Sequence, residues 1–185
     1  MRLNAPVIPE EVLLPPGSTL VSTTDLKGRI TYCNAAFIEV SGYTREELMG
    51  QPHNLIRHPD MPAEGFRDLW STIEAGRPWT GVVKNRRKDG RHYWVQANVT
   101  PIVEDGRPVG YLSVRGVPTR EQVAACEALY ATMRAEAEQG RLLHVLKAGR
   151  VLRMDLRGRA AEALRLGLGQ RVSLSVGGIA LAALL

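Results

Sequence analysis

Apolar and polar positions change period several times along the chain, and the changes mark its elements. Residues 1–18 hold Pro6, Pro9, Pro15, Pro16 and Gly17 with no sustained period, which predicts an extended arm. Residues 19–24 are rich in β-branched side chains and predict a strand; 25–28 predicts a turn and 29–33 a second strand. Asn34 stands where an N-cap is needed for a helix over 35–41, which Gly42 stops. Thr44 and Glu47 have the spacing of a capping box for a short helix over 45–49, ending at Gly50. Prolines interrupt 51–62, which predicts a loop or broken helix.

Through 63–75 the period becomes helical, with Phe66, Leu69, Trp70 and Ile73 on one stripe and Gly76 as the stop. Period two then returns over 79–87, 91–102 and 108–117, with Asp89-Gly90 and Asp105-Gly106 as hairpin turns. Two strands, several short helices and a three-stranded meander make an α+β domain. Its five-stranded antiparallel sheet carries the short helices on one side. A long helix follows Pro118, opened by a second capping box, Thr119 with Gln122, and ended by Gly140. Val123, Cys126, Tyr130, Met133 and Ala137 form a 3-4 seam on it. That seam suits either the same helix of a second subunit or the helix's own sheet.

Charge divides the chain further. Residues 1–139 carry 16 Lys and Arg against 17 Asp and Glu, whereas 140–171 carry 8 against 2, and 172–185 carry none. The basic balance therefore comes from one short segment, not from a basic face of the fold, which argues against a nucleic-acid binder. Residues 172–185 are shorter than the roughly 20 residues of a membrane span. The arginines before them predict a basic juxtamembrane segment (141–171) leading into the start of a membrane-inserting segment (172–185). The other reading of the tail is a helix buried in a soluble core. On the membrane reading, the preceding domain is cytoplasmic and attached to the inner membrane. Cys33 and Cys126 lie far apart and form no CxxC; with no signal peptide, they are expected to be free thiols in a reducing cytosol.

The chain carries no GxGxxG after a strand, no Walker loop, no HExxH and no GxSxG. Three features are costly without a ligand. Period two puts Trp79, Gly81, Val83 and Asn85 on one strand face; if that face is the core, the Asn85 amide needs partners that a heteroaromatic ligand supplies. The plain alternative turns Asn85 to water. Residues 53–62 crowd His53, His58, Arg57 and Asp60 into one loop, where Arg57 and His58 suit an anionic group such as a phosphate. The plain alternative there is a self-contained turn with Asp60 capping the next helix. Lys84, Arg86, Arg87, Lys88 and Arg91 around Asp89-Gly90 read first as a solvated hairpin tip and second as a phosphate contact.

These residues resemble a family. Asp25-Leu26-Lys27-Gly28-Arg29-Ile30, Asn34-Ala35-Ala36-Phe37, 42–50, and 84–90 with Tyr93-Trp94-Val95 are similar to the PAS signature. More narrowly, Gly50-Gln51-Pro52-His53-Asn54, then Arg57-His58-Pro59-Asp60-Met61-Pro62, and Pro78-Trp79 resemble the PAS domains of the bacterial aerotaxis receptor family, over residues 19–140. The basic stretch and apolar tail resemble that family's run into its membrane segment. The resemblance implies a PAS sensor domain over 19–117, an arm over 1–18 and a connecting helix over 118–140. It implies FAD bound non-covalently, with redox state or oxygen as the input, in aerotaxis-type signalling rather than an enzyme. The cofactor-binding residues it implies are Asn34, His53, Asn54, Arg57, His58, Asp60, Trp70, Trp79 and Asn85.

Light-oxygen-voltage flavin domains carry a reactive Cys in the loop occupied here by His53-Asn54. They also carry Asn and Gln where this chain has Val95 and Arg115, so redox sensing is expected rather than light sensing. A homodimer through the arm or the 118–140 helix is expected, with an inner-membrane partner and no nucleic acid. The family continues into a HAMP segment and a kinase-controlling coiled coil. This chain stops at Leu185, which implies a fragment or a sensor acting through another subunit. The alternatives are a haem-binding gas sensor with His58 or His53 as axial ligand, and a ligand-free PAS adaptor.

Overall fold

The structure is a computed structural model that describes residues 4–155. In chain order the elements are β1 (Leu20–Thr24), β2 (Ile30–Cys33), α1 (Ala35–Ser41), α2 (Arg45–Leu48), a 3-10 turn (His53–Ile56), α3 (Ala63–Glu74), β3 (Trp79–Arg86), β4 (His92–Glu104), β5 (Arg107–Gly116), α4 (Arg120–Glu138), β6 (His144–Lys147) and β7 (Arg150–Arg153). The first five strands form one antiparallel sheet in the order β2-β1-β5-β4-β3. Both capping boxes form as their spacing predicts, Thr44 with Glu47 and Thr119 with Gln122.

The two faces of the sheet are covered differently. On the inner face, Tyr93 and Val95 of β4 lie buried with Phe37 of α1, Leu48 of α2, Ile56 of the 3-10 turn and Ile73 of α3. On the outer face, period two turns Trp94 the other way, where Tyr130 of α4 stacks on it with ring centroids 6.4 Å apart. The Tyr130 hydroxyl donates to Val82 O at 2.6 Å, and Val123, Tyr130 and Met133 are buried. The seam of α4 thus packs on its own sheet, one of the two partners its spacing allowed. Tyr130 decides this, because its hydroxyl finds a strand carbonyl that a second α4 would not offer.

The proline-rich arm also lies on its own domain. β5 pairs with β4 only from Gln96 onward, which leaves the first residues of β4 open on that side. The arm fills the place: Val12 N donates to His92 O at 2.7 Å and His92 N to Glu10 O at 3.0 Å. Arg120 of α4 clamps Glu11 through two bonds of 2.7 and 2.9 Å. Asn4 reaches the pocket loop, donating to Asn54 O and Arg57 O at 2.8 and 2.9 Å.

Beyond Gly140, within the stretch expected to be juxtamembrane, the chain forms a further element that its sequence pattern did not announce. Residues 144–153 are a two-stranded hairpin, turned by Ala148-Gly149 with φ of 51° and 79°, the left-handed pair that a tight two-residue turn requires. It returns to pack on α3. Residues 156–171 of the expected basic segment and all of 172–185 lie outside the described residues. Among those described, no helix is long and apolar enough to cross a membrane.

Candidate functional site

The inner face of the sheet does not close completely on α3. Between them lies a cavity of about 160 Å³. Every other residue of the inner strands reaches it: Val83 and Asn85 from β3, Ala97 and Val99 from β4, Tyr111, Ser113 and Arg115 from β5, Ser22 and Thr24 from β1. The opposite wall is the apolar stripe of α3, Phe66, Leu69, Trp70 and Ile73, with Arg57, Asn54 and His53 at one end. Gly28, at φ 73°, lets the β1–β2 turn pass against Trp70; a Cβ there would sit 2.9 Å from the indole.

The polar end of the cavity is unusual chemically. Arg115 is 4% exposed. Its partners are neutral: Nη1 donates to Ser22 Oγ at 3.1 Å and Nη2 to His53 Nε2 at 2.7 Å, and its guanidinium lies 5.2 Å from the Phe37 ring centre. Burial holds Arg115 below the usual guanidinium range, at about 10. His53 is driven down to about 3, first by burial and then by the Arg115 charge, so its imidazole is neutral and accepts from Arg115. Arg57 packs its guanidinium 3.8 Å over Phe66 and donates to Met61 O at 3.1 Å, while its Nε is buried without a partner. Ser113 Oγ is likewise buried without a partner. Asn85 is buried against the cavity, and its backbone bridges Arg57.

The nine residues expected to bind a cofactor therefore divide. His53, Asn54, Arg57, Trp70 and Asn85 line the cavity. Asn34, His58, Asp60 and Trp79 do not, and each has a structural duty instead. Asn34 caps α1, accepting from Phe37 N at 3.1 Å and Val21 N at 3.0 Å while donating to Thr19 O at 2.9 Å. Trp79 shares the inward strand parity of Asn85, but its indole folds over Gly81, where no side chain blocks it, and donates to Asp68 at 2.8 Å.

His58 is buried beyond the end of the cavity, edge-on to His92 with ring centroids 5.7 Å apart, and its Nδ1 accepts from Asp60 N at 3.1 Å. His58 is not among the residues that line this cavity. Burial lowers it to about 4, against the pull of Asp60 and with the help of Lys84. Asp60 does not cap α3, whose N-cap is Pro62. It accepts from Lys84 Nζ at 2.8 Å; burial raises its carboxyl, but that bond and charge outweigh burial and hold it low. The Asp60 carbonyl accepts from Arg134 of α4. The basic hairpin tip is self-paired, Arg87 and Arg91 on Asp89 and Lys88 on Glu47.

Arg115 and Ser113 are functional candidates that the sequence reading did not single out as ligand contacts. Their signal was the parity of β5: Tyr111, Ser113 and Arg115 fall on one face, so an inward face carries polar groups. No group of three or more His, Cys, Asp or Glu able to hold a metal occurs among the described residues.

The sequence profile of the PAS fold matches residues 30–115. The chain is 50% identical over 142 residues to the aerotaxis receptor of Escherichia coli, covering 77% of this chain and 27% of that protein. It thus spans about a quarter of that relative's length. A PAS domain from Colwellia psychrerythraea has a TM-score of 0.50 at 29% identity, over 55% of this chain and 87% of that one. A light-oxygen-voltage domain described with a flavin analogue has a TM-score of 0.53 at 23% identity, over 62% of this chain and 86% of that one.

Proposed function

The chain belongs to the PAS family, and from that premise we propose that it is a flavin-binding sensor rather than an enzyme. Its cofactor is FAD, its input redox state or oxygen, and its output a signalling domain of the aerotaxis type. The observation that carries the reading is the polar end of the cavity: a buried guanidinium with only neutral partners, beside the unpartnered Ser113 Oγ and Arg57 Nε. A buried cation without an anion is costly unless something electron-rich occupies the space beside it. The likeness to the aerotaxis receptor supports a PAS signalling sensor, and the likeness to a light-oxygen-voltage domain supports the fold that frames the cavity.

The residues present fit such a group. Leu69, Ile73, Val83 and Val99 offer apolar walls for a flat ring system. Asn85 offers a donor and an acceptor to a ring edge that carries carbonyl and N–H groups. Arg115 favours the electron-rich end of the ring, and Arg57 with Lys27, both on the cavity wall, suit anionic phosphates. The cavity is close in size to one that takes a single benzene ring, so a three-ring ligand would need part of the wall, to which Trp70 belongs, to give way. Bound flavin supplies reversible electron uptake. Asn85, whose side-chain amide can both donate and accept, would be placed to answer a change of protonation on a bound ring by rotating that amide, and β3 would carry the change.

The experiment is to purify the full chain and identify what it retains. Yellow protein releasing FAD is the expected result; red protein would establish the haem reading and colourless protein the adaptor reading. Arg57→Ala is expected to release flavin. His58→Ala is expected to loosen it less, because His58 acts through the loop. Residues 172–185 are further proposed to enter a membrane behind the basic run, tested by flotation of the full chain with anionic vesicles at low and high salt.

A further inference from the structure

Helix α3 is polar on the side that ought to face water, yet two of its carboxylates there are buried. At about 100° per residue, Phe66, Leu69, Trp70 and Ile73 gather on the cavity side, while Glu64 and Asp68 project to the nearly opposite side. Asp68 is 1% exposed and Glu64 7%. What covers them is the β6–β7 hairpin. Asp68 accepts from Ala148 N and Gly149 N, both at 2.7 Å, as well as from Trp79 Nε1. Glu64 accepts from Leu146 N at 2.8 Å, and Arg67, held by Glu64, donates to Leu146 O at 2.6 Å.

The hairpin is held at its other end by α4. Glu136 accepts from Leu143 N, His144 N and His144 Nδ1 at 3.0, 2.9 and 2.6 Å. One short hairpin thus ties the helix that walls the cavity to the helix that leaves the sheet. A structural hairpin would need only apolar cover, as Leu146 provides. This one is held by backbone N–H groups aimed at buried carboxylates, an arrangement that depends on the angular setting of α3.

We propose that the hairpin is a clasp whose closure reports what fills the cavity; the proposal rests on the flavin reading above. A ring packed against Phe66, Leu69 and Ile73 adds contacts to one side of α3. It thereby favours the setting in which Glu64 and Asp68, on the other side, meet the hairpin. Linkage then makes the effect reciprocal: the ligand tightens the clasp by the factor by which the closed clasp tightens the ligand. The open clasp leaves Asp68 to Trp79 and Glu64 to Arg67, and frees the chain after α4 to move.

Two substitutions act on the clasp without touching the cavity. A Cβ at Gly149 would collide with Thr80 O, and φ there is 79°, so Gly149→Ala opens the turn. Ala148 sits at φ 51°, a conformation Asn tolerates better than Ala, so Ala148→Asn tightens it. The experiment measures amide exchange at Leu146, Ala148 and Gly149 in the full chain, loaded with FAD and stripped of it, and the FAD affinity of both variants.

Protection is expected to rise about fivefold or more on loading. Gly149→Ala is expected to weaken FAD by a comparable factor and Ala148→Asn to strengthen it. The opposite signs exclude general unfolding. A chain that binds FAD but shows equal exchange in both forms, or variants with unchanged affinity, overturns the clasp alone. A chain that binds no flavin overturns the functional reading and the clasp with it.

Discussion

Two of the buried cations of this domain, Lys84 and Arg115, lie one on each face of the sheet, and each has a histidine beside it. Lys84, 7% exposed on the outer face, donates to Asp60 at 2.8 Å, approaches Glu127 of α4 at 3.5 Å and lies 5.5 Å from the centre of the Trp94 ring. Arg115, on the inner face, meets a serine, a neutral imidazole and the edge of a cavity. The protein supplies Lys84 with its counter-charges and leaves Arg115 without one. The first cluster holds the loop of residues 57–61 against α4 and is complete in itself; the second is the one that the proposed ligand would complete. Proximity of charged residues in sequence does not separate the two cases, since His53 and His58 stand five residues apart and serve different clusters.

Acid breaks both clusters, and this is the largest expected effect. His53 and His58 have folded values of about 3 and about 4, below the 6.5 of an unfolded chain. The unfolded state therefore binds more protons as pH falls. The stability they contribute is whole above about pH 6.5 and is lost below it, at about 1.4 kcal/mol per pH unit per histidine until each folded value is reached. Denaturant unfolding from pH 7 to 4 checks this, and His53→Gln is expected to reduce the slope.

Arg115→Met sharpens the contrast from the ligand's side. Removing a buried charge with no counter-ion is expected to leave the stability of the flavin-stripped chain within about 1 kcal/mol of the parent. The affinity for FAD is expected to fall roughly 10- to 100-fold, as for a lost charge-assisted contact. Titration of the stripped protein gives the second number and urea unfolding the first. Unchanged affinity would remove Arg115 from the site.

Lys84→Met should do the reverse. Asp60 and Glu127 are themselves half-open to water, so stranding them costs about 1–2 kcal/mol rather than the larger price of a fully buried pair. FAD affinity is expected to change less than threefold. The smallest effect is expected for Asn85→Ser, which keeps a polar group at the cavity wall. Flavin should stay bound, and the difference in protease sensitivity between oxidised and reduced protein should shrink. An unaltered difference would exclude Asn85 from signal reporting.

Much of the fold was legible because its punctuation is local. Asp89-Gly90 and Asp105-Gly106 set the meander, and the two capping boxes set the starts of α2 and α4. The strand parity that aims Asn85 inward was legible too, but not the fate of Trp79, whose direction depends on the missing side chain at Gly81 and on Asp68 eleven residues away. Asn34 was read correctly as a cap, and that duty uses its side chain fully. Arg115 entered the sequence reading only as a departure from light-oxygen-voltage domains; its burial follows from β5 lying between β1 and β4, a long-range fact. The β6–β7 hairpin was hidden because Ala148-Gly149 lacks the Asn-Gly or Asp-Gly signature and because the arginines around it suggested a lipid surface.

The arm laid along the start of β4 has a consequence for the chain's solubility. Those first residues of β4 carry N–H and C=O groups that β5 does not reach, and such a row is a template for pairing with any extended chain. By occupying it with Glu10 and Val12, the protein uses its own arm as a stopper, and Pro9 and Pro15 on either side keep the strand-like stretch too short to be a good template for a further strand. Removal of residues 1–18 should therefore convert a well-behaved domain into one that self-associates as its concentration rises, visible as growing light scatter in a truncated chain that still binds flavin.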